Sequence, residues 1–311
     1  MRKLSKEQLK KAGKYIGKLI SLLSVVFIIY AVWKLGFDFG SIDNWYSFLT
    51  VALIGVILKG ITVYISGFNW ACWLRFFAGR DIDMREALSV YAKANIGKYL
   101  PGNVMHYVER NLFATNLGIS QKKLAVSTVL EVIGLVGAAF ILAVSVSAKQ
   151  LDQSLKAIFG DSYVKVVILA VVGGILLVGA AWLVLHKKLS SVLKEYSWKT
   201  FVKTALIALV RYAVVLVVLG LIMVALYAYM GGTVTWENGS LIVSGYVIAW
   251  VLGFVIPGAS GGIGVRELVI TVLLGSVVGT ELVLTLSVIH RLITIAGDFL
   301  AYLARLMLRR R

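Results

Sequence analysis

The sequence predicts an all-α polytopic membrane protein with about six full transmembrane helices and two re-entrant helical hairpins in an inverted-topology repeat. Hydrophobic residues make up 59% of the chain and charged residues only 15%, a balance that a soluble surface does not tolerate. The apolar runs reach about 20 residues, the length of a membrane-spanning helix, whereas strands of a β-barrel would alternate over about ten. Two Pro-Gly breaks, which contain the only two prolines, interrupt this apolar pattern.

Six apolar runs predict full spans, at residues 16–35, 45–77, 124–147, 164–185, 201–230 and 281–306. The first run follows a basic segment, as in a signal peptide, but it is too long and lacks a cleavage pattern, so we expect a retained helix. Two further segments, 87–111 and 241–278, are too polar or too broken for ordinary spans. Broken backbone at membrane depth must be buried in protein or line a cavity, and we therefore predict a re-entrant hairpin in each.

The basic residues predict the topology. Most of the 32 Lys and Arg residues lie before residue 19, between residues 75 and 123, between 187 and 203, or after 304. The positive-inside rule places these segments, and both termini, in the cytoplasm of a bacterial-type inner membrane. The net charge of +17 is therefore a topology signal compatible with anionic lipid, and we expect no nucleic-acid partner.

The two Pro-Gly breaks carry similar charged residues. Glu109 and Arg110 follow the first proline, and Arg266 and Glu267 follow the second. Each break belongs to a repeat made of a helix, a hairpin and a helix. Under the predicted topology the first repeat enters the membrane from outside and the second from inside. Broken helices in inverted repeats meet near the bilayer midplane and form substrate sites there. The predicted repeats are residues 45–147 and 201–308 of a single membrane domain.

Several charged residues fall inside the predicted spans or breaks. Each costs about 2.5–3.5 kcal/mol at the bilayer centre unless it is paired or hydrated, and pairing with each other or with Asp298 is one explanation. Guanidinium groups also bind phosphate bidentately and keep their charge when desolvated, which favours an anion site. The candidate cations are Lys59, Arg110, Arg211, Arg266 and Arg291; Glu109, Glu131 and Glu267 would hold them or bind a cationic head group; and Pro101, Gly102, Pro257, Gly258, Gly261 and Gly262 would shape the cavity.

Other chemistries have weaker support. The glycine-rich break lacks the Gly-Lys-Ser/Thr ending of a phosphate-binding loop, and no strand precedes it. His106 and His290 lie apart from any metal-ligand spacing, and a lone Cys72 is best explained as a packing residue. We expect no catalytic residues, no metal and no cofactor. No ATPase motif is present, so movement of a substrate would be downhill, ion-coupled or driven by a partner.

Two segments resemble a known family. GKYLPGNVMHYVERNLFATNLGIS followed by VLEVIG, and FVIPGASGGIGVRELV followed by HRLITIAGD, resemble the transmembrane region of lysylphosphatidylglycerol synthase/flippase proteins. The resemblance implies a translocase that moves a phosphate-containing lipid head between leaflets, with the Pro-Gly segments, Glu131 and Arg291 at its pathway. Because the sequence ends soon after its last predicted helix, we expect a stand-alone member without the aminoacyltransferase domain.

The identity of the lipid is left open by the sequence. A phospholipid, an aminoacyl-phospholipid and a polyprenyl-phosphate-linked sugar are all candidates, with a lipid-modifying enzyme or a second copy of the chain as further candidate partners. A secondary transporter of a soluble anion is an alternative, since inverted repeats and buried arginines suit it equally. An integral-membrane transferase is another, for which Asp81 and Asp83 are the obvious cytoplasmic carboxylates.

Overall fold

The computed structural model describes residues 44–99, 105–159, 196–255 and 264–309. These residues are almost entirely helical and contain no strand. Short 3₁₀ turns, Ile96–Tyr99 and Ala114–Leu117, follow two of the helices. The helices are α1 Trp45–Ala78, α2 Met84–Asn95, α3 Met105–Phe113, α4 Gln121–Phe159, α5 Trp198–Tyr229, α6 Trp236–Val255, α7 Val265–Val278 and α8 Thr280–Arg309.

Five helices in the described part of the chain are long and apolar enough to cross a membrane. Large apolar side chains such as Leu53, Phe140, Val210 and Leu221 are exposed on their outer surfaces, as lipid contact requires. The predicted class, an all-α polytopic membrane protein, is confirmed. The segments that qualify are Trp45–Ala78, Gln121–Ala143, Trp198–Tyr229, Trp236–Phe254 and Thr280–Met307; the predicted helices at 16–35 and 164–185 lie outside the described residues.

The first broken segment folds as two short helices. The helix α2 has 12 residues and α3 has nine, so neither is long enough to cross a bilayer. The Asp83 carboxylate begins α2 by accepting hydrogen bonds from the backbone N–H groups of Arg85 and Glu86. Entry of this segment from the cytoplasm stays a prediction, and Pro101 and Gly102 lie outside the described residues.

The second broken segment forms an antiparallel pair of unequal helices. A Cβ atom placed on Gly245 of α6 would lie 3.1 Å from a methyl carbon of Leu274 of α7, and both residues are similarly distant from the break. Whereas residue 241 was the predicted start, α6 begins at Trp236, because Thr235 and Asn238 cap it reciprocally. Its 20 residues exceed the predicted half-span; α7 has 14. Pro257, Gly258, Gly261 and Gly262 lie outside the described residues.

A close crossing of α1 and α8 positions the charged residues described below. A Cβ atom on Gly297 would lie only 2.6 Å from Cβ of Lys59 and 2.8 Å from the carbonyl oxygen of Val56. Glycine therefore allows the two backbones to approach, as small residues do between membrane helices. The contact brings Lys59 of α1 beside Asp298, the next residue of α8.

Candidate functional site

A polar cavity of about 140 Å³ lies among the helices. One water needs about 10–15 Å³ by this measure, so the cavity has room for several waters or one compact polar group. Both predicted repeats contribute to its wall. The contributing elements include α2, the 3₁₀ turn after it, and α7. The charged residues in the wall are Lys59, Lys98, Glu131, Arg266, Glu267, Arg291 and Asp298.

Asp298 is the centre of the first charged group. Its side chain is fully buried and forms ion pairs with Lys59 Nζ at 2.8 Å and Lys98 Nζ at 2.5 Å. Asn95 Nδ2 and the Tyr99 hydroxyl also donate to it, at 2.8 and 2.5 Å. This carboxylate thus connects α1, α2 with its 3₁₀ turn, and α8. Two ammonium groups share a single carboxylate, so the group retains one formal positive charge.

Glu267 and Arg291 form the second charged group. Arg291 Nε lies 2.7 Å from Glu267 Oε1, and Glu267 Oε2 accepts the backbone N–H of Gly264 at 2.7 Å. Gly264 has a φ of 84°, a left-handed conformation that glycine adopts without strain. Both carboxylate oxygens of Glu267 are therefore occupied, and they connect α8 to the start of α7.

Arg110 and Glu131 form the third charged group, which is enclosed. Arg110 Nη2 lies 2.5 Å from Glu131 Oε2, and the Tyr91 hydroxyl donates to Glu131 Oε1 at 2.8 Å. The guanidinium carbon is 4.8 to 5.1 Å from the ring centroids of Trp70, Tyr91 and Tyr107. Arg110 is only 2% exposed and lies behind Glu131, outside the cavity wall. Its formal charge is thus balanced by Glu131 within the protein.

Arg266 differs from the other cations of the cavity. Within the described residues no carboxylate lies within 4 Å of it, and its Cζ lies 5.7 Å from the centroid of the Trp250 ring. Its Nε is buried and has no hydrogen-bond partner there. A half-buried guanidinium without a carboxylate loses part of its hydration and gains no counter-charge in return. Arg266 therefore retains capacity to bind an anion in the cavity.

The structure brings five of the eight predicted charged residues into the cavity wall: Lys59, Glu131, Arg266, Glu267 and Arg291. Arg110, Glu109 and Arg211 are outside it. Glu109 is buried against Gly97, where an added Cβ would lie 2.6 Å from its Oε2. Arg211 contacts Asn69 at 3.3 Å and the Phe68 ring at 4.7 Å on the α1 side of α5.

Lys98 is a wall residue that the sequence reasoning did not select, and Asp298 entered it only as a partner. Lys98 lies in the first broken segment, three residues before Pro101, and Asp298 interrupts an apolar helix. A charged residue so close to a helix break, or inside an apolar helix, is the sequence signal that could have identified each of them.

Of the two histidines in the wall, His290 places Nε2 2.9 Å from the carbonyl oxygen of Leu219, which accounts for it as a hydrogen-bonding residue. The residues that the structure describes contain no cluster suited to a metal ion.

The fold and the cavity define a class: an all-α, multi-pass membrane protein with a charged cavity between its helices. No protein-family model matches the chain, and no curated protein matches it significantly. The resemblance to the flippase region of lysylphosphatidylglycerol synthases therefore stays a prediction from the two Pro-Gly segments.

Proposed function

We propose that this protein is a membrane lipid translocase that moves a phosphate-containing anionic head group between leaflets through the charged cavity. The observation that carries the proposal is Arg266, a half-buried cation in the wall with no carboxylate within 4 Å among the described residues. A guanidinium offers a planar set of donors that matches phosphate oxygens. A phosphate at this position would supply the missing counter-charge.

The carboxylates of the cavity favour an anionic head over a cationic one. Glu267 is held by Arg291 and the Gly264 N–H, Glu131 by Arg110 and Tyr91, and Asp298 by two lysines. Each carboxylate would have to leave a buried cation in order to receive an ammonium group, and breaking such a pair is costly. An aminoacyl-phospholipid is accordingly the least favoured of the three candidate lipids.

The helix that carries Arg266 adds to the positive potential. Arg266 lies in the first turn of α7, at the positive end of the helix dipole, where Glu267 caps the backbone N–H of Gly264. Short and broken helices whose N-termini face a midplane site are the arrangement by which transporters hold anionic groups. The length of α7 and the break before it are consistent with that arrangement.

A leaflet-accessibility assay tests this function. The full chain would be reconstituted in vesicles with a fluorescent phospholipid or polyprenyl-phosphate-linked sugar, and transfer followed by chemical quenching of the outer leaflet. We expect wild-type protein to accelerate transfer of at least one of these lipids, and Arg266→Gln to slow it about tenfold or more, as loss of a charge-assisted contact implies. The matched control is Arg305→Gln, a buried arginine over the Tyr302 ring that does not line the cavity.

Two outcomes would contradict the proposal. Absence of transfer of every anionic lipid by folded wild-type protein would exclude the function, and equal transfer by wild type and Arg266→Gln would exclude the site. Uptake of labelled inorganic phosphate into the same vesicles, without lipid transfer, would instead identify a transporter of a soluble anion.

A further inference from the structure

We propose that the cavity selects a phosphate monoester, whose head carries two negative charges, over a phosphodiester, which carries one. The inference rests on the proposed function and specifies its substrate class. A polyprenyl monophosphate is a lipid of this type, whereas common phospholipids and phosphate-linked sugars are diesters. The evidence is the charge balance of the cavity and the positions of its excess charges.

The formal charges of the cavity wall do not balance. The cavity wall and Arg110, which contacts it through Glu131, contain five cations but only three carboxylates. Residues 100–104 and 256–263, which connect described helices in the sequence, contain no ionisable side chain. The formal excess within the described residues is therefore two positive charges. The cations are Lys59, Lys98, Arg110, Arg266 and Arg291, and the carboxylates are Glu131, Glu267 and Asp298.

Both excess charges belong to residues that line the cavity. The pairs Arg110–Glu131 and Arg291–Glu267 are each balanced, one cation against one carboxylate. One excess charge arises where two lysines share Asp298, and the other is Arg266. Of the two lysines, Lys98 has the more accessible side chain, 23% against 10% for Lys59. Lys98 and Arg266 are thus the cations best able to reach a ligand.

A dianion matches this arrangement in charge and in acceptors. A phosphomonoester carries about −1.5 to −2 charges near pH 7 and presents three acceptor oxygens, enough for a guanidinium and an ammonium together. A phosphodiester carries one charge, so one excess cation would stay uncompensated in a site of low dielectric constant. The structure therefore favours the monoester by one buried charge interaction.

Matched ligands test the inference. Geranylgeranyl phosphate and its methyl ester have the same hydrocarbon chain and differ by one charge. Binding of each to the purified full chain would be measured by native mass spectrometry in detergent. We expect wild-type protein to bind the monoester at least about tenfold more tightly, a ratio equivalent to one charge-assisted contact.

Variants test whether the excess positive charges cause the preference for the monoester. Lys98→Gln removes one of them, and we expect the monoester preference to fall below about threefold, mainly through weaker binding of the monoester. Lys59→Gln removes the same charge from the other side of Asp298 and is the second variant if Lys98→Gln does not fold. Arg305→Gln, outside the cavity, should keep the wild-type preference. A preference that survives in both folded lysine variants would overturn the charge argument.

The outcomes separate this inference from the proposed function. Equal wild-type affinity for the two prenyl ligands, with lipid transfer intact, would overturn the inference alone. Binding of neither ligand and transfer of no anionic lipid would contradict the proposed function as well. Displacement of geranylgeranyl phosphate by inorganic phosphate at comparable concentration would support a dianion site and overturn a lipid head group as its occupant.

Discussion

Arg110 and Arg266 follow the two Pro-Gly breaks at similar spacing, yet their surroundings differ. Arg110 is enclosed by Glu131 and the rings of Trp70, Tyr91 and Tyr107. Arg266 lines the cavity, with its guanidinium over the single ring of Trp250 and no carboxylate within 4 Å among the described residues. The first environment satisfies a charge, whereas the second leaves it available to a ligand.

The difference shows that a repeated motif does not assign equal roles to its members. Each arginine has an adjacent glutamate in sequence, but neither pairs with it. Glu131 on α4 reaches Arg110, while Glu267 is occupied by Arg291 of α8. The carboxylate that a neighbouring helix supplies therefore decides whether a buried arginine is structural or available for binding.

The largest expected effect is on stability at Arg110. Arg110→Ala should lower the free energy of unfolding by about 3–5 kcal/mol, because it leaves Glu131 charged and buried. Arg266→Ala should cost less than about 1 kcal/mol, since no pair is broken. Denaturant unfolding of both variants in detergent micelles checks the difference, and similar losses would show that Arg266 is also a structural cation. Arg110→Ala combined with Glu131→Ala should regain part of the loss.

A smaller effect is expected at the hydroxyl of Tyr91. Tyr91→Phe removes the hydrogen bond to Glu131 but keeps the ring beside Arg110, so we expect a loss of about 1–3 kcal/mol. The control is Tyr107→Phe, which keeps the other ring and should change stability by about 0.5 kcal/mol or less. The same unfolding measurement applies. Equal effects would mean that the rings, and not the hydrogen bond, hold the enclosed pair.

The smallest effect is expected at Arg211, which belongs to neither environment. Its contacts are the side-chain oxygen of Asn69, Cys72 Sγ and the Phe68 ring, and it does not line the cavity. Arg211→Gln should cost less than about 1 kcal/mol, the usual size of a partly exposed cation–π contact. Its prenyl-phosphate affinity should match wild type by native mass spectrometry. Weakened binding would extend the site to Arg211, beyond the part of α5 that lines the cavity.

Much of the fold is evident from the sequence because hydropathy and helix breakers act locally. The spans around Lys59 and Arg211 and the break before Met105 all follow from residue order. The longer α6 was missed because polar residues at its start resemble a loop, although Thr235 and Asn238 cap the helix there. Capping depends on side-chain hydrogen bonds that a hydropathy pattern does not register.

Hydropathy along the chain is enough to predict a helical membrane protein with charged residues inside its apolar segments. Which of those charges meet depends on how the helices pack. Asp298 reaches Lys59 from a distant part of the chain because α1 and α8 cross closely at Gly297, and Lys98, in the turn after α2, lies on its other oxygen. Ion pairs form over about 3 Å, a distance set by helix packing and not by spacing along the chain. Among the described residues, that packing leaves Arg266 without a carboxylate within 4 Å, a property that the motif around it does not reveal.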